Sequence, residues 1–205
     1  MTEKDWKLVM RILALAVVVA LSATMAQAQD DKDVKESYTA FAVNMSNVGA
    51  GRASSFQINI TRWSTDEERA KLLTTLKEKG HDDFISELRD QEETGFVTGH
   101  GPVARANPFP STRLHYAYQH IENGTRKVVL ITNRPIGFSE AANNSRSLDY
   151  DTSAITMDLP EKGDAKGKGS MYVALKISVN KDNGHLTVEQ SASEPVRLNQ
   201  ISRQN

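Results

Sequence analysis

Leu114–Thr132 reads LHYAYQHIENGTRKVVLIT. Two runs of strand-forming residues flank Glu122-Asn123-Gly124-Thr125. Asn-Gly between apolar runs marks a tight hairpin turn, because both central residues need positive φ. The stretch therefore predicts antiparallel strands over Leu114–Ile121 and Arg126–Thr132. Val128–Ile131 is apolar at every position, as expected of a central strand covered on both faces. In the first arm, Leu114, Tyr116, Tyr118 and His120 share one face by the two-residue period. His115, Ala117, Gln119 and Ile121 take the other.

The same period extends on both sides of the hairpin. Upstream, Phe41, Val43 and Met45 alternate with Ala42 and Asn44, and Phe56, Ile58 and Ile60 alternate with polar residues. Phe96–Thr98 is a short strand, and Pro102, Pro108 and Pro110 make Gly99–Ser111 a loop. Downstream, Asn133–Ser147 is polar loop, Ile155, Met157 and Leu159 mark a strand, and Glu161–Ser170 is a Gly/Lys loop. Met171, Val173, Leu175, Ile177 and Val179 are expected to face inward, with Tyr172, Lys176 and Ser178 outward. Leu186 and Val188 form its partner, and Val196 and Leu198 a last strand.

Helical spacing interrupts the strands once. Ser64-Thr65-Asp66-Glu67 resembles a capping box with Ser64 as the cap. Leu72, Leu73 and Leu76 form an apolar stripe, Lys77 and Lys79 suit the negative end of the helix dipole, and Gly80 stops the helix. A second helix, about Asp82–Gln91, presents Phe84, Ile85 and Leu88. The fold class is thus α+β: a mainly antiparallel β-sandwich or up-and-down barrel with one inserted helical hairpin.

The N-terminus sets the expected compartment. Lys4, Lys7 and Arg11 precede the apolar run Ile12–Leu21, and Ala26-Gln27-Ala28 offers a small-x-small cleavage site. Residues 1–28 read as a signal peptide cut after Ala28, since the run falls short of the roughly 20 residues that span a bilayer; an uncleaved anchor helix is the alternative, and no stable membrane insertion is expected after cleavage. Residues 29–36 are a charged, flexible lead-in, and 37–205 a single α+β domain. Removing residues 1–28, with three basic and two acidic residues, takes the net charge from −1 to −2. That near-neutrality gives no reason to expect nucleic acid as a partner. The chain has no cysteine, so neither disulfides nor thiolate chemistry are available to it.

Most chemical motifs fail on inspection. Gly163–Gly169 lacks the spacing and the Ser/Thr of a phosphate loop. Gly137-Phe138-Ser139-Glu140-Ala141, with Asp149 or Asp158 and then His185, has the chain order of a hydrolase triad, but Pro135 interrupts the strand such an elbow needs. Asn180–Gly184 lacks calcium-loop periodicity. His81, His100, His115, His120 and His185 show no metal-ligand spacing, so neither a metal nor a cofactor is expected. The N-x-Ser/Thr sites at Asn44, Asn59, Asn123 and Asn143 are not read as glycosylated. What remains is a candidate ligand-binding wall of Tyr116, Tyr118 and His120, with Arg134 as an anion-binding fork beside it.

Three stretches carry a resemblance: Arg62-Trp63-Ser64-Thr65-Asp66-Glu67-Glu68 with the helix pair, Asn133-Arg134-Pro135-Ile136, and Glu194-Pro195-Val196-Arg197-Leu198. Together they resemble small secreted bacterial proteins of unknown function, which implies an exported, periplasmic or extracellular setting and no particular activity. The order of elements is similar to that of small lipid-binding barrels, an analogy of architecture alone. The expected role is a non-catalytic binding or interaction module with a protein or small-molecule partner. One alternative is a carrier of a small hydrophobic ligand in a barrel cavity. The other is a hydrolase, with Ser139 or an Asp/Glu pair beside His185 or His100.

Overall fold

The computed structural model describes residues 36–44, 53–100, 111–136, 150–160, 166–180, 186–190 and 194–204. The strands are β1 (Glu36–Val43), β2 (Ala53–Ile60), β3 (Gly95–His100), β4 (Thr112–Leu114), β5 (Tyr116–Glu122), β6 (Thr125–Thr132), β7 (Thr152–Pro160), β8 (Gly167–Val179), β9 (Leu186–Gln190) and β10 (Val196–Gln204). Helices α1 (Asp66–Glu78) and α2 (His81–Asp90) lie between β2 and β3. The expected signal peptide falls outside the described residues, as do Ser139, Asp149 and His185.

The sheet is antiparallel throughout and runs β4-β3-β2-β1-β10-β8-β7-β6-β5, with β9 added to β8. Its two ends are successive pieces of one stretch of chain. β4 pairs with β3, the chain bends at His115, and β5 then pairs with β6. The bend curls the sheet into a nearly closed up-and-down barrel, the second of the two expected architectures. Ser64 continues the closure on the free edge of β5: its N–H donates to the Ala117 carbonyl (2.8 Å), and its Oγ accepts from the Ala117 N–H (3.1 Å).

A ring of this size has an interior just wide enough for side chains to fill. Phe56, Ile58, Leu130, Ile155, Met157 and Met171 are among the residues buried there in one continuous cluster. Each such side chain contributes roughly 1.5–3 kcal/mol by leaving water. β1 enters with the opposite face to the expected one. Tyr38, Ala40 and Ala42 are buried and Phe41 is exposed. Beyond Tyr38, a lumen already filled by β2, β6 and β7 accepts the methyl groups of Ala40 and Ala42, and Phe41 points outward.

A second core lies on the outside. Leu72, Leu76, Phe84, Ile85 and Leu88 of the helices pack on Tyr116, Tyr172, Leu175, Ile177 and Val188. Strand β6 separates the two cores as its composition predicts, with Val128 and Leu130 inside and Val129 and Ile131 toward the helices. Strand β8 serves both cores by changing face. Pairing with β7 slips by one residue between Thr152↔Leu175 and Ala154↔Tyr172. Met171 and Val173 consequently face the lumen, while Leu175 and Ile177 face the helices. The expected single inward face of Met171–Val179 is therefore wrong, and Tyr172 is buried instead of solvated. The bulge is pinned at the Val173 carbonyl, which accepts from the Ile136 N–H (2.9 Å) and lies 2.7 Å from Ser153 Oγ.

Other boundaries move for identifiable reasons. Thr65, not Ser64, caps α1, and Glu68 completes the capping box, because the Ser64 hydroxyl is used by Ala117. Leu114 turns into the lumen with Ala117, since the bend at His115 breaks the alternation expected across Leu114–His120. Residues 167–170, expected in a loop, open β8. A Cβ on Gly169 would sit 2.1 Å from the Thr156 carbonyl oxygen, so glycine there permits close approach of β7 and β8. Glu36 is the first residue of β1 and is buried, which corrects its expected place in a flexible lead-in.

Candidate functional site

Tyr116, Tyr118 and His120 come together as the sequence implies. They stack along the outer face of β5, with centroids 6.4 Å apart for the tyrosine pair and 6.0 Å for Tyr118 and His120. α1 covers one end of the ladder. Tyr116 is buried beneath it, its hydroxyl has no hydrogen-bond partner among the described residues, and burial raises its pKa far above the ordinary tyrosine value. Tyr118 is half-buried under the Arg69 guanidinium, 4.8 Å from its ring centroid. His120 marks the open end, and burial lowers its pKa from the usual value. The ladder is the wall of the helix–sheet core and does not line the barrel lumen.

Arg134 does not join the ladder. Its side chain is exposed, and its backbone carbonyl lies 2.8 Å from Ser153 Oγ in the loop that braces the β8 bulge. The cation that packs on the tyrosines is Arg69, whose place depends on how α1 folds back over the sheet. No local spacing near Tyr118 announces it.

Two further polar clusters are built into the frame. At one mouth of the barrel, Arg126 donates to both Glu36 oxygens (2.9 and 3.1 Å) and to Tyr38 Oη (3.1 Å). Tyr38 donates to Glu36 at 2.5 Å, and Trp63 lies beneath the guanidinium at 5.3 Å. The cluster plugs that mouth with matched charge. Elsewhere, His81 Nε2 meets Asp151 Oδ1 at 2.8 Å in the pattern of a catalytic dyad. Its Nδ1, however, accepts the Ile177 N–H at 3.2 Å. That bond fixes the tautomer and occupies the lone pair a general base would use. His115 Nδ1 lies 3.4 Å from the Gln91 carbonyl. No group of three His, Asp or Glu side chains able to hold a metal occurs among the described residues.

A distinctive surface lies on the opposite side of the barrel from the helices, where β10, β1, β2 and β3 adjoin. Strand pairing aligns Gln204, Ser37, Asn59 and Phe96 in one outward row. Ser202, Thr39, Gln57 and Thr98 form the next row. Asn199, Phe41, Ser55 and His100 belong to the third. None of these residues is Asp, Glu, Lys or Arg, in a chain that is 25% charged by those four types, and His100 is the one titratable member. Arg113 stands beyond Phe96, and Arg197 stands one row beyond Asn199. The polar side chains orient one another. Ser37 donates to Asn59 Oδ1 (2.8 Å), and Gln57 Nε2 donates to Ser37 Oγ (3.1 Å) and Asn59 Oδ1 (3.3 Å). Sequence reading misses this face because it places Phe41 in the core. The detectable signal is a run of neighbouring strands with no charge at alternate positions.

Comparison with protein-family models, curated proteins and solved structures finds no match to this chain.

Proposed function

We propose that this chain is an exported, non-catalytic binding module that works through the outer face of β10, β1, β2 and β3. The observation that carries the reading is that uncharged face, flanked by two exposed phenylalanines, Phe41 and Phe96. A solvated sheet face ordinarily carries charge, and its absence favours contact with a ligand over contact with water alone. The basic and apolar N-terminus supports export. The carrier alternative needs a cavity lined by the tyrosine-bearing face. Here Tyr116 and Tyr118 lie outside the lumen, and buried side chains fill the barrel core. The hydrolase alternative gains nothing from His81, whose Nδ1 is committed to the backbone.

The test uses the absence of native cysteine. A photo-crosslinker is attached to Gln57→Cys in the binding face or to Lys77→Cys on exposed α1, and both proteins are expressed in an exporting bacterium. The proposal expects the mature chain, beginning at Gln29, in the exported fraction, with adducts at position 57 and none at position 77. Retention in the cytoplasm overturns the export reading. Equal adduct yields at the two positions, or none at either, overturn the binding-face reading.

A further inference from the structure

Resting on that reading of the β10–β1–β2–β3 face, we infer that its occupant is an uncharged pyranose chain bearing acetamido groups, the chemistry of an N-acetylhexosamine glycan. Three observations lead there. The first is size. Four strands about 4.8 Å apart, with outward residues about 6.8 Å apart along each, present about 400 Å². A stable protein complex takes roughly 800 Å² from each partner, so this face is about half of what a second copy or a protein partner needs. A short oligosaccharide needs no more than is present.

The second is chemistry. The floor of the face is Thr39, Gln57 and Asn59, with Ser37, Ser55 and Thr98 around them. Hydroxyl and primary amide groups each donate and accept, which matches the mixed valence of sugar hydroxyls. An acetamido group offers one N–H and one carbonyl; with the Gln57 amino group and the Asn59 oxygen engaged in the network, Asn59 Nδ2 supplies a donor for the carbonyl and the Thr39 hydroxyl an acceptor for the N–H. The three rows hold no Asp, Glu, Lys or Arg, so beyond the single His100 they offer no fixed charge to select a phosphate, a carboxylate or an anionic lipid.

The third is relief. Phe41 is 41% exposed and Phe96 is 38% exposed, and both stand above shorter neighbours. Phe96 stands on β3 in the first row and Phe41 on β1 in the third, two strands and four residues apart, which is about 17 Å across the sheet. That distance is on the order of three sugar rings. The flat C–H face of a pyranose is apolar, and an aromatic ring is the surface on which it rests while the polar groups between fix orientation.

The experiment titrates the mature protein with chitohexaose by calorimetry, and with cellohexaose, which keeps the ring chain and lacks the acetamido groups. Chitohexaose binding that falls at least tenfold in Phe41→Ala and in Phe96→Ala, and is unchanged in Arg113→Ala, supports the inference. Equal affinity for cellohexaose overturns the acetamido assignment. No binding of either sugar, or binding that survives both phenylalanine variants, overturns the glycan assignment. Circular dichroism of each variant establishes that it is folded. Selective adducts at Gln57→Cys without sugar binding would leave the face standing and remove the glycan alone, so the two failures are distinguishable.

Discussion

Arg126 and Glu36 form a two-oxygen ion pair across the barrel mouth, at 2.9 and 3.1 Å, with the carboxylate 6% exposed. The pair joins the first residue of β1 to β6 and carries Tyr38 and Trp63 with it. Losing one partner is costly because it leaves a charge in a poor solvent. Arg126→Leu leaves Glu36 with the Tyr38 hydroxyl and, as its cation among the described residues, only the half-exposed Arg203, 3.5 Å away. The expected loss is about 3 kcal/mol in urea unfolding. Adding Glu36→Leu to the same chain is expected to restore more than half of it. A single-variant loss below about 1 kcal/mol would show that the mouth is not closed by this pair.

Gly169 faces the Thr156 carbonyl so closely that a Cβ has no room, and the obstacle is backbone. Gly169→Val is expected to separate β7 from β8 and cost at least about 3 kcal/mol, or to prevent folding. Gly80→Ala meets no atom within 4 Å but keeps a residue at φ +95°. Its cost, about 1–3 kcal/mol for the glycine-only region at ψ −166°, is conformational alone. Thermal unfolding of the two variants separates steric from torsional cost, and an equal effect would refute the close approach at Gly169.

The alternation and turn chemistry of the chain are enough to read antiparallel strands, the Asn123-Gly124 hairpin and the helix pair. Inward and outward are harder to read where both faces of a strand carry apolar residues. On β1 the larger Phe41 looks like the core residue, yet the lumen takes Ala40 and Ala42 because other strands have filled it. On β8 a regular apolar period conceals a bulge, since residues on both sides of it serve some core. The aromatic ladder was legible because three neighbours on one strand suffice to define it. Arg69 was not, because only the packing of α1 brings it to Tyr118. The uncharged face emerges only after β1 is turned the right way round.

His81 holds the helix pair to the sheet through Ile177, and Asp151 holds the imidazole. His81→Leu strands a buried backbone N–H and is expected to cost about 2 kcal/mol. Asp151→Asn keeps an oxygen that can accept from Nε2, so it should cost less than about 1 kcal/mol. Long-range proton–nitrogen NMR is expected to show the Nε2–H tautomer in both the native chain and Asp151→Asn. Finding the Nδ1–H tautomer would break the structural account and return His81 to the list of candidate bases.

Tyr38, Tyr116 and Tyr172 are buried, and burial first of all holds each phenol protonated well above the ordinary value of 10. The unfolded chain loses those protons as pH rises through about 10 while the folded chain keeps them. The folded state then binds more protons, so stability is whole below pH 10 and falls above it, by up to about 1.4 kcal/mol per pH unit for each tyrosine. Phenolate absorbance at equilibrium should therefore show three of the five tyrosines ionising together with loss of the folded circular-dichroism signal. Replacing Tyr116, whose hydroxyl has no partner among the described residues, with Phe removes one of these titrations and no hydrogen bond among them. Tyr116→Phe is expected to leave neutral-pH stability unchanged or slightly higher and to flatten the alkaline decline. A large loss at pH 7 would mean that the Tyr116 hydroxyl makes a bond essential to the helix–sheet core.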